Sequence, residues 1–406
     1  MDNFLTLDHF EEASEMMKQV IQETKLVYSE YLSQQTDAKV FLKPENMQFT
    51  GAYKLRGAYY KISTLTEKER SCGLITASAG NHAQGVAYAA QRFGIKSVIV
   101  MPTTTPLIKV NRTKSLGAEV ILTGDMYDES YQTALTLAEE KGYTFIHPFD
   151  DLAIATGQGT IMMEIYKELP LVDYILVPVG GGGLIAGVSV LAKLLNPKIK
   201  IIGVEPAGAN CLQASIKAGE VVSLEKVSTI ADGTAVKTPG PVIFPYIKEN
   251  IDEIITIEDE ELVAAFLDMV ENHKMIVENS GLLAVAAMKH LELKGKRVVA
   301  ILSGGNMDVI TMSSVVQRGL IIRDRIFTVS VLLPDKPGEL TRVSGVIAEQ
   351  NGNVIKLEHN QFVTINRNAA VELRITLEAF GTEHKNEIIT RLEEEGYQPR
   401  VVRTNI

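Results

Sequence analysis

Short apolar runs alternate with longer helical segments through most of the chain. The runs, rich in β-branched residues and typical of buried strands, are 97–101, 119–122, 174–179, 200–204 and 297–302. The longer segments, which predict helices, include 81–93, 127–141, 152–169 and 264–273. Strands that alternate with helices indicate parallel sheets covered by helices, so residues 50–320 predict an α/β fold.

A different order of elements begins near residue 325, after the strongly charged segment 318–325. The pattern predicts a strand at 327–333, a helix at 339–350, two strands at 354–365 and 370–377 around a turn at 366–368, a helix at 384–395 and a strand at 398–403. This βαββαβ order is that of a small ferredoxin-like domain. We therefore expect one domain at 1–320 and a second at 325–406.

The composition narrows the class of protein. Of 406 residues, 46% are hydrophobic and 22% are charged, as in an ordinary globular protein. Forty Lys and Arg against fifty Asp and Glu give a net charge of −10, which argues against a nucleic-acid partner.

Two cysteines, and an N-terminus without the basic-then-apolar order of a signal peptide, favour the cytoplasm. Residues 175–192 are uncharged, but Pro178 and the glycines from Gly180 would interrupt a membrane helix, so we expect no membrane partner.

Four segments carry residues suited to chemistry, and the first surrounds Lys54. This lysine lies among small and apolar residues near the start of a predicted helix. Partial burial lowers the pKa of a lysine amine and makes it a nucleophile that can form a Schiff base. The alternative is a solvated surface lysine, the commoner environment of this residue.

The second segment, 76–86, leads from a short apolar run into a helix. Its small residues leave backbone N–H groups free at the helix start, an arrangement that binds a carboxylate, and Asn81 adds a side-chain amide that could bond a phenolic oxygen. The alternative is an ordinary helix cap. His82 is either a base or a structural side chain.

Two glycine segments complete the set. Gly180 to Gly183 follow a predicted strand and precede a helix, where successive N–H groups can converge on a phosphate. They lack the features of a nucleotide P-loop or a dinucleotide fingerprint, so a compact monophosphate fits them better; the alternative is a flexible turn. Ser303 ends another strand before two glycines, where it could bond a ring nitrogen or form a plain turn. Together the four segments supply what pyridoxal phosphate (PLP) and an amino acid need.

Four segments resemble, in order and spacing, the motifs of fold-type-II PLP enzymes. They are KLRGA at 54–58, SAGNHAQG at 78–85, GGGGL at 180–184 and SGGN at 303–306. The resemblance is strongest to the threonine dehydratases (threonine ammonia-lyases) and covers about residues 5–320. It implies two lobes of open sheets with helices on both faces, similar to tryptophan synthase β, with a small lobe at about 50–155 inserted in the large one. The tail resembles an ACT domain, the small amino-acid-sensing module.

The resemblance also implies residue roles. Lys54 would bind the cofactor covalently and later move the Cα proton, Asn81 would bond the 3-hydroxyl oxygen, and Ser303 would face the pyridine nitrogen. The full cofactor-binding set would be Lys54, Tyr53, Asn81, Gly180, Gly181, Gly182, Gly183, Leu184 and Ser303. The substrate-carboxylate loop would be Ser78, Ala79, Gly80, Asn81 and His82. The implied reaction is deamination of L-threonine to 2-oxobutyrate and ammonia, as in isoleucine biosynthesis, with L-serine as a second substrate.

Departures from related families sharpen this expectation. Ala79 stands where similar serine racemases have a second serine, which favours dehydration over racemisation. Cys211 replaces an acid beside the positions that resemble a cation site, Glu205 and Ala209, so we assign no metal and leave a cation open. Serine racemase/dehydratase and a non-catalytic amino-acid sensor remain alternatives.

The tail leaves regulation open. If it resembles ACT domains in function, an effector such as isoleucine, valine or threonine would bind at Asp335, Pro337, Gly338, Glu339 and Leu340. The sequence does not decide whether such an effector would activate or inhibit the enzyme, or whether AMP would act on it. It also leaves open whether the enzyme is biosynthetic or catabolic. The alternative is a dimerisation domain without a ligand. In either case we expect a homo-oligomer, a dimer or a tetramer.

Overall fold

The computed structural model describes residues 4–361 and 371–404. The chain divides into two compact units, Met1–Asp308 and Val309–Ile406. We expected the boundary near residue 320, but a continuous helix, Val309–Ile322, belongs to the second unit. The charges at 318–325 therefore mark the end of this helix and the turn after it, where Asp324 has a positive φ of 53°.

The helices and strands alternate along most of the chain. The strands of the described residues are β1 Val27–Tyr28, β2 Lys39–Lys43, β3 Leu74–Ala77, β4 Ser97–Met101, β5 Glu119–Leu122, β6 Thr144–Phe145, β7 Tyr174–Pro178, β8 Lys200–Pro206, β9 Glu253–Ile257, β10 Arg297–Ile301, β11 Ile326–Leu333, β12 Asn353–Asn360, β13 Val371–Glu378 and β14 Arg400–Val402. The α-helices are α1 Leu7–Met17, α2 Glu30–Thr36, α3 Lys54–Thr64, α4 Glu67–Ser71, α5 Asn81–Phe93, α6 Leu107–Ser115, α7 Tyr127–Lys141, α8 Leu152–Glu168, α9 Gly183–Leu195, α10 Cys211–Ala218, α11 Phe244–Asn250, α12 Asp259–Asp268, α13 Asn279–Ala286, α14 Val309–Ile322, α15 Glu339–Glu349 and α16 Thr382–Glu394.

The first unit contains two sheets, which confirms the predicted α/β architecture. Six strands form one sheet in the order β1-β2-β10-β7-β8-β9, parallel except for β1. Four parallel strands form the other in the order β5-β4-β3-β6. The central strands are largely apolar because helices cover both faces of the sheets; all five residues of β4 are buried.

One predicted helix differs from the structure. The segment expected at 264–273 begins earlier, as α12, and continues as a π-helical turn over Met269–His273. The start was missed because Asp259, Glu260 and Glu261 interrupt the apolar pattern. Acidic residues are favoured in the first turn of a helix, where they face the positive end of its dipole.

Glycines allow α3, α8 and α9 to pack with their backbones close together. A β-carbon at Gly157 of α8 would lie 2.6 Å from the carbonyl oxygen of Arg56 in α3. One at Gly187 of α9 would overlap the carbonyl oxygen of Ala155 in α8. Only glycine fits at these two crossings without a shift of the backbone. The start of α3 is thereby fixed relative to the start of α9.

A buried ionic cluster of Lys43, Glu45, Arg56 and Glu164 joins α3 to α8 and to the end of β2. Arg56 donates two hydrogen bonds of 2.8 Å to Glu45 and bonds of 2.6 and 3.0 Å to Glu164. The side chains of Lys43, Glu45 and Arg56 are 0% exposed. Burial opposes ionisation, but the charges of Arg56 and Lys43 hold the pKa of Glu45 below its ordinary value.

The second unit contains an antiparallel sheet in the order β12-β13-β11-β14. Its elements follow the predicted βαββαβ order, and α15 and α16 contribute Ile347 and Ile388 to a core shared with Val329 and Leu373. β12 and β13 correspond to the strands expected at 354–365 and 370–377, of which residues 362–365 and 370 lie outside the described residues. The expected turn at 366–368 lies outside the described residues.

The helices were compared with the length and apolar content that a membrane-spanning helix needs. Across residues 4–361 and 371–404, none combines the length and the apolar content needed to span a bilayer.

Candidate active site

Lys54 is the first residue of α3, and its side chain points into the first unit. Its Nζ donates a 2.7 Å hydrogen bond to the carbonyl oxygen of Pro148 and lies 5.5 Å from the centre of the Tyr53 ring. Burial lowers the pKa of Lys54 to about 8, against an opposing effect of the Glu278 carboxyl. The solvated-lysine alternative does not describe this environment. A substantial fraction of the amine is neutral near physiological pH.

Two neutral imidazoles face this amine. Burial, with the nearby charge of Lys54, lowers the pKa of His82 to about 3 and that of His147 to about 4. His82 Nε2 donates to the carbonyl oxygen of Ile146 at 3.1 Å, which requires its proton on that nitrogen. His147 Nδ1 accepts hydrogen bonds from the amides of Phe149 and Asp150, at 3.2 and 2.8 Å. A basic role for His82 is therefore disfavoured.

Asn81 begins α5 and lies in a chain of polar side chains. Its Nδ2 donates a 2.6 Å hydrogen bond to Glu278 Oε1, and its Oδ1 accepts a 2.8 Å bond from Asn306 Nδ2. Arg112 Nη1 donates to Asn306 Oδ1 at 2.9 Å. Burial raises the pKa of Glu278 to about 7, and the bond from Asn81 opposes this shift. Hydrogen bonds thus hold both the nitrogen and the oxygen of the Asn81 side-chain amide.

The glycine segment forms the turn between β7 and α9. Gly182 has a φ of 103° and precedes the first residue of the helix. Among the described residues, no acceptor takes a hydrogen bond from the amides of Gly181 and Gly182, and the first amides of any α-helix have no partner within it. The first turn of α9 contains no acidic residue. Free amides at a helix start, with no acidic residue beside them, can bind an anion.

The glycine segment also shows the close packing that a phosphate site requires. A β-carbon at Gly181 would overlap the ring of Phe149, and one at Gly183 would lie 2.8 Å from the carbonyl oxygen of Phe149. A β-carbon at Gly180 would lie 2.9 Å from Thr234 Cα. Side chains are therefore excluded from this turn, and only main-chain groups are left to contact a small anion. The residues present fit the phosphate group of PLP.

Residues 147–150 connect the amine to the glycine segment. Pro148 accepts the hydrogen bond from Lys54, and Phe149, the next residue, contacts Gly181 and Gly183. The two predicted anchoring points of the cofactor, Lys54 and the glycines, therefore lie on either side of one dipeptide. This proximity is what a cofactor with an aldehyde and a phosphate needs.

Ser303 and the carboxylate loop lie against the same cluster. Ser303 follows β10, is 4% exposed, and accepts a 3.1 Å hydrogen bond from the Tyr53 amide through its carbonyl oxygen. A β-carbon at the next residue, Gly304, would lie 3.1 Å from Asn81 Nδ2. In the loop, Ser78 Oγ accepts from the Gly80 amide at 3.2 Å. Leu184 follows Gly183 in the first turn of α9 and is buried.

The possible cation site contains few available ligands. Both carboxylate oxygens of Glu205 accept backbone hydrogen bonds, from Leu212 at 2.8 Å and Gln213 at 2.9 Å. Burial raises the pKa of Glu205 to about 7 and that of Cys211 to about 12. Within the described ranges, no three His, Cys, Asp or Glu side chains cluster as metal ligands would. Ala209 is buried in the turn before α10.

The sequence did not reveal three residues of this cluster. Glu278 and His147 lie in connections between elements, where no periodic pattern singles them out. Asn306 was within the SGGN segment, but only the structure shows its bond to Asn81.

Comparison with known proteins gives the family. Residues 17–304 match the model of the family "Pyridoxal-phosphate dependent enzyme". An L-threonine ammonia-lyase of Thermotoga maritima is 42% identical over 98% of this chain and 100% of its own. The structure of processed threonine deaminase isoform 2 from Solanum lycopersicum is 40% identical, with a TM-score of 0.73 over 77% of this chain and 94% of that one. Maize serine racemase is 33% identical, also with a TM-score of 0.73, over 78% and 98%.

Both relatives with the higher identity are enzymes named for threonine deamination, and the match to the first extends through the second unit. The lysine, the glycine turn before a helix, and the polar cluster around Asn81 agree with the cofactor requirement of the family. The chain belongs to the pyridoxal-phosphate-dependent enzymes, in the family of the L-threonine ammonia-lyases.

Proposed function

We propose that this chain deaminates L-threonine to 2-oxobutyrate and ammonia, and also deaminates L-serine to pyruvate. The observation that carries the proposal is the position of the partly neutral Lys54 amine beside the Pro148–Phe149 dipeptide that lines the glycine turn. In this proposal Lys54 holds the cofactor, Gly180 to Leu184 hold its phosphate, and Ser303 faces its ring. PLP, when bound, supplies an electron sink for the amino-acid substrate.

The residues around the amine suit elimination. Lys54, once released as a neutral amine, is the base that removes the Cα proton. His82 and His147 are neutral and fixed by backbone hydrogen bonds, so neither adds a competing positive charge. Ala79 has no hydroxyl to return a proton to the opposite face of Cα, which favours loss of the β-hydroxyl over racemisation.

A steady-state assay tests the function directly. Purified protein should form 2-oxobutyrate from L-threonine, and the kcat/KM for pyruvate formation from L-serine measures the preference between the two substrates. Chiral analysis of residual serine distinguishes the alternatives, because a racemase would accumulate D-serine. Absence of both keto acids, with serine enantiomers unchanged, would contradict the proposed activity.

We also propose that the second unit binds an amino-acid effector at Asp335, Pro337, Gly338, Glu339 and Leu340. Gly338, with φ of 93°, precedes α15 and leaves the first amides of that helix accessible. Repeating the assay with isoleucine, valine or AMP tests this. A homo-oligomeric, cytoplasmic enzyme is part of the same proposal, and light scattering of the purified protein tests the oligomeric state.

The capture of PLP by the apoprotein should accelerate with pH and reach half its maximal rate near pH 8. Only the neutral amine attacks an aldehyde, and the pKa of Lys54 is lowered to about 8, so the reactive fraction increases as pH rises through that value. Stopped-flow absorbance measures the rate, and Nα-acetyl-lysine, whose amine has a pKa of about 10.4, is the reference. A midpoint equal to that of the reference would contradict the prediction.

Replacement of Gly182 by alanine should weaken PLP binding about tenfold or more. Its φ of 103° disfavours any side chain, and the new β-carbon would lie 2.7 Å from Ile247 Cδ1; a left-handed conformation costs an L-residue about 1–2 kcal/mol. Titration of the apoprotein with PLP measures the dissociation constant. Gly94→Ala is the matched control, since Gly94 also has a positive φ but no atom within 4 Å of the added carbon. An equal loss of PLP affinity in both variants would show that the effect is not specific to the glycine turn.

A further inference from the structure

Glu278 is a carboxylic acid in the cofactor region to which the proposed reaction gives no task. It lies immediately before α13, where its backbone amide donates to the Gly304 carbonyl at 3.0 Å and its carbonyl accepts from Gly281 at 2.8 Å. Its Oε1 accepts the 2.6 Å bond from Asn81, and a β-carbon at Gly304 would overlap this same oxygen. The main chain thus places the carboxyl between Asn81 and the segment that carries Ser303.

The contacts of Asn81 determine which way its amide faces. A primary amide has two N–H donors and one acceptor oxygen. Asn306 Nδ2 donates to the oxygen, and Glu278 accepts from the nitrogen. An ionised carboxylate accepts and never donates, so it forces the nitrogen of Asn81 to its own side. The second N–H of Asn81 then remains for a ligand.

Several charged or titratable groups face Glu278. Lys54 on α3 and Lys109 on α6 favour its ionised form, whereas Asp232, in the connection after α10, opposes it. Tyr53 lies beside Lys54, and its pKa is raised by burial and by Glu278. The backbone amide of Asn306 also donates a hydrogen bond to the Glu278 carboxyl. Above a pH of about 7, where Glu278 is ionised, its charge therefore stabilises the protonated form of Lys54.

We infer that Glu278 is a positioning residue, whose carboxyl orients the Asn81 amide toward the cofactor ring. The inference rests on the proposed function, because it concerns the same reaction. It adds a residue that acts through Asn81 and Lys54 and does not itself touch the reacting atoms.

The test compares four holoenzymes: wild type, Glu278→Gln, Glu278→Ala and Glu261→Gln. Glutamine keeps an acceptor oxygen for Asn81 and removes the charge, and alanine removes both. Glu261 is the control because its carboxylate is also largely shielded, bonded to Lys289 and His290 on a different surface. The measurements are PLP affinity, the visible absorption band of bound cofactor from pH 6 to 10, the pH profile of kcat/KM for threonine, and the melting temperature.

We expect a graded result. Glu278→Ala should bind PLP about tenfold more weakly, because Asn81 loses a charged hydrogen-bond partner, and should shift the visible band. Glu278→Gln should recover most of the affinity but move the midpoint of the pH profile to lower pH by about half a unit or more, since an opposing charge is gone. Glu261→Gln should match wild type in affinity, spectrum and pH profile.

Two results would overturn the inference. The first is an unchanged spectrum and pH midpoint in both Glu278 variants. The second is a loss in Glu278→Ala that follows its melting temperature alone, which would indicate a purely structural role. The spectral and affinity measurements need no substrate, so they judge Glu278 even if threonine is not turned over, and failure of the proposed activity would be seen separately in wild type.

Discussion

Replacing Lys54 with alanine is expected to abolish 2-oxobutyrate formation, lowering kcat by at least about 10³-fold. The variant loses the covalent link to the cofactor and the base for the Cα proton, and loss of a positioned general base alone typically costs 10²–10⁴-fold. The visible absorption band of the cofactor bound to Lys54 should also disappear. Coupled detection of the keto acid and an absorption spectrum measure the two effects.

The matched control is Lys61→Ala on the same helix. Lys61 forms an ion pair of 2.6 Å with Asp151 and lies seven residues after Lys54, near the end of α3. Its removal should retain the visible band and most of the activity. If Lys54→Ala kept substantial turnover, Lys54 could not be the catalytic base.

Replacing Arg56 with methionine is expected to destabilise the protein by about 3–5 kcal/mol. The substitution leaves Glu45 buried without the two hydrogen bonds that it receives from the guanidinium, and removal of one partner of a buried ion pair typically has this cost. Urea unfolding of the holoenzyme, followed by circular dichroism, measures the change in the free energy of unfolding.

A surface pair provides the control for this effect. Arg297 bonds Asp173 at 2.9 and 3.0 Å, a geometry comparable to that of Arg56 with Glu45, but the two side chains are 34% and 30% exposed. Arg297→Met should cost about 1 kcal/mol or less. Equal losses for the two variants would show that burial of the cluster does not determine its contribution.

Much of the first unit could be predicted because its signals are local. Short runs rich in β-branched residues mark parallel strands, so β4 and β5 agree with their predicted bounds. The lysine and glycine segments were also recognisable, because helix starts that bind anions need small residues in sequence. These features depend on neighbours within about ten residues.

The remaining parts depend on contacts between distant segments. Glu278 meets Asn81 across 197 positions of sequence, and Asn306 meets it across 225. No periodic pattern or motif in the sequence indicates either contact. The boundary between the two units also lies earlier than expected, because the charged segment 318–325 resembles a linker although its first five residues continue α14.

The glycine crossings of α3, α8 and α9 have a consequence for interpreting variants of this enzyme. Because main-chain atoms meet at Gly157 and Gly187, the span from the start of α3 to the start of α9 is set by backbone geometry. A larger residue at either crossing would alter that span without contacting any ligand. Inactive variants at these positions would therefore mimic defects in catalytic residues, although the chemical groups themselves remain intact.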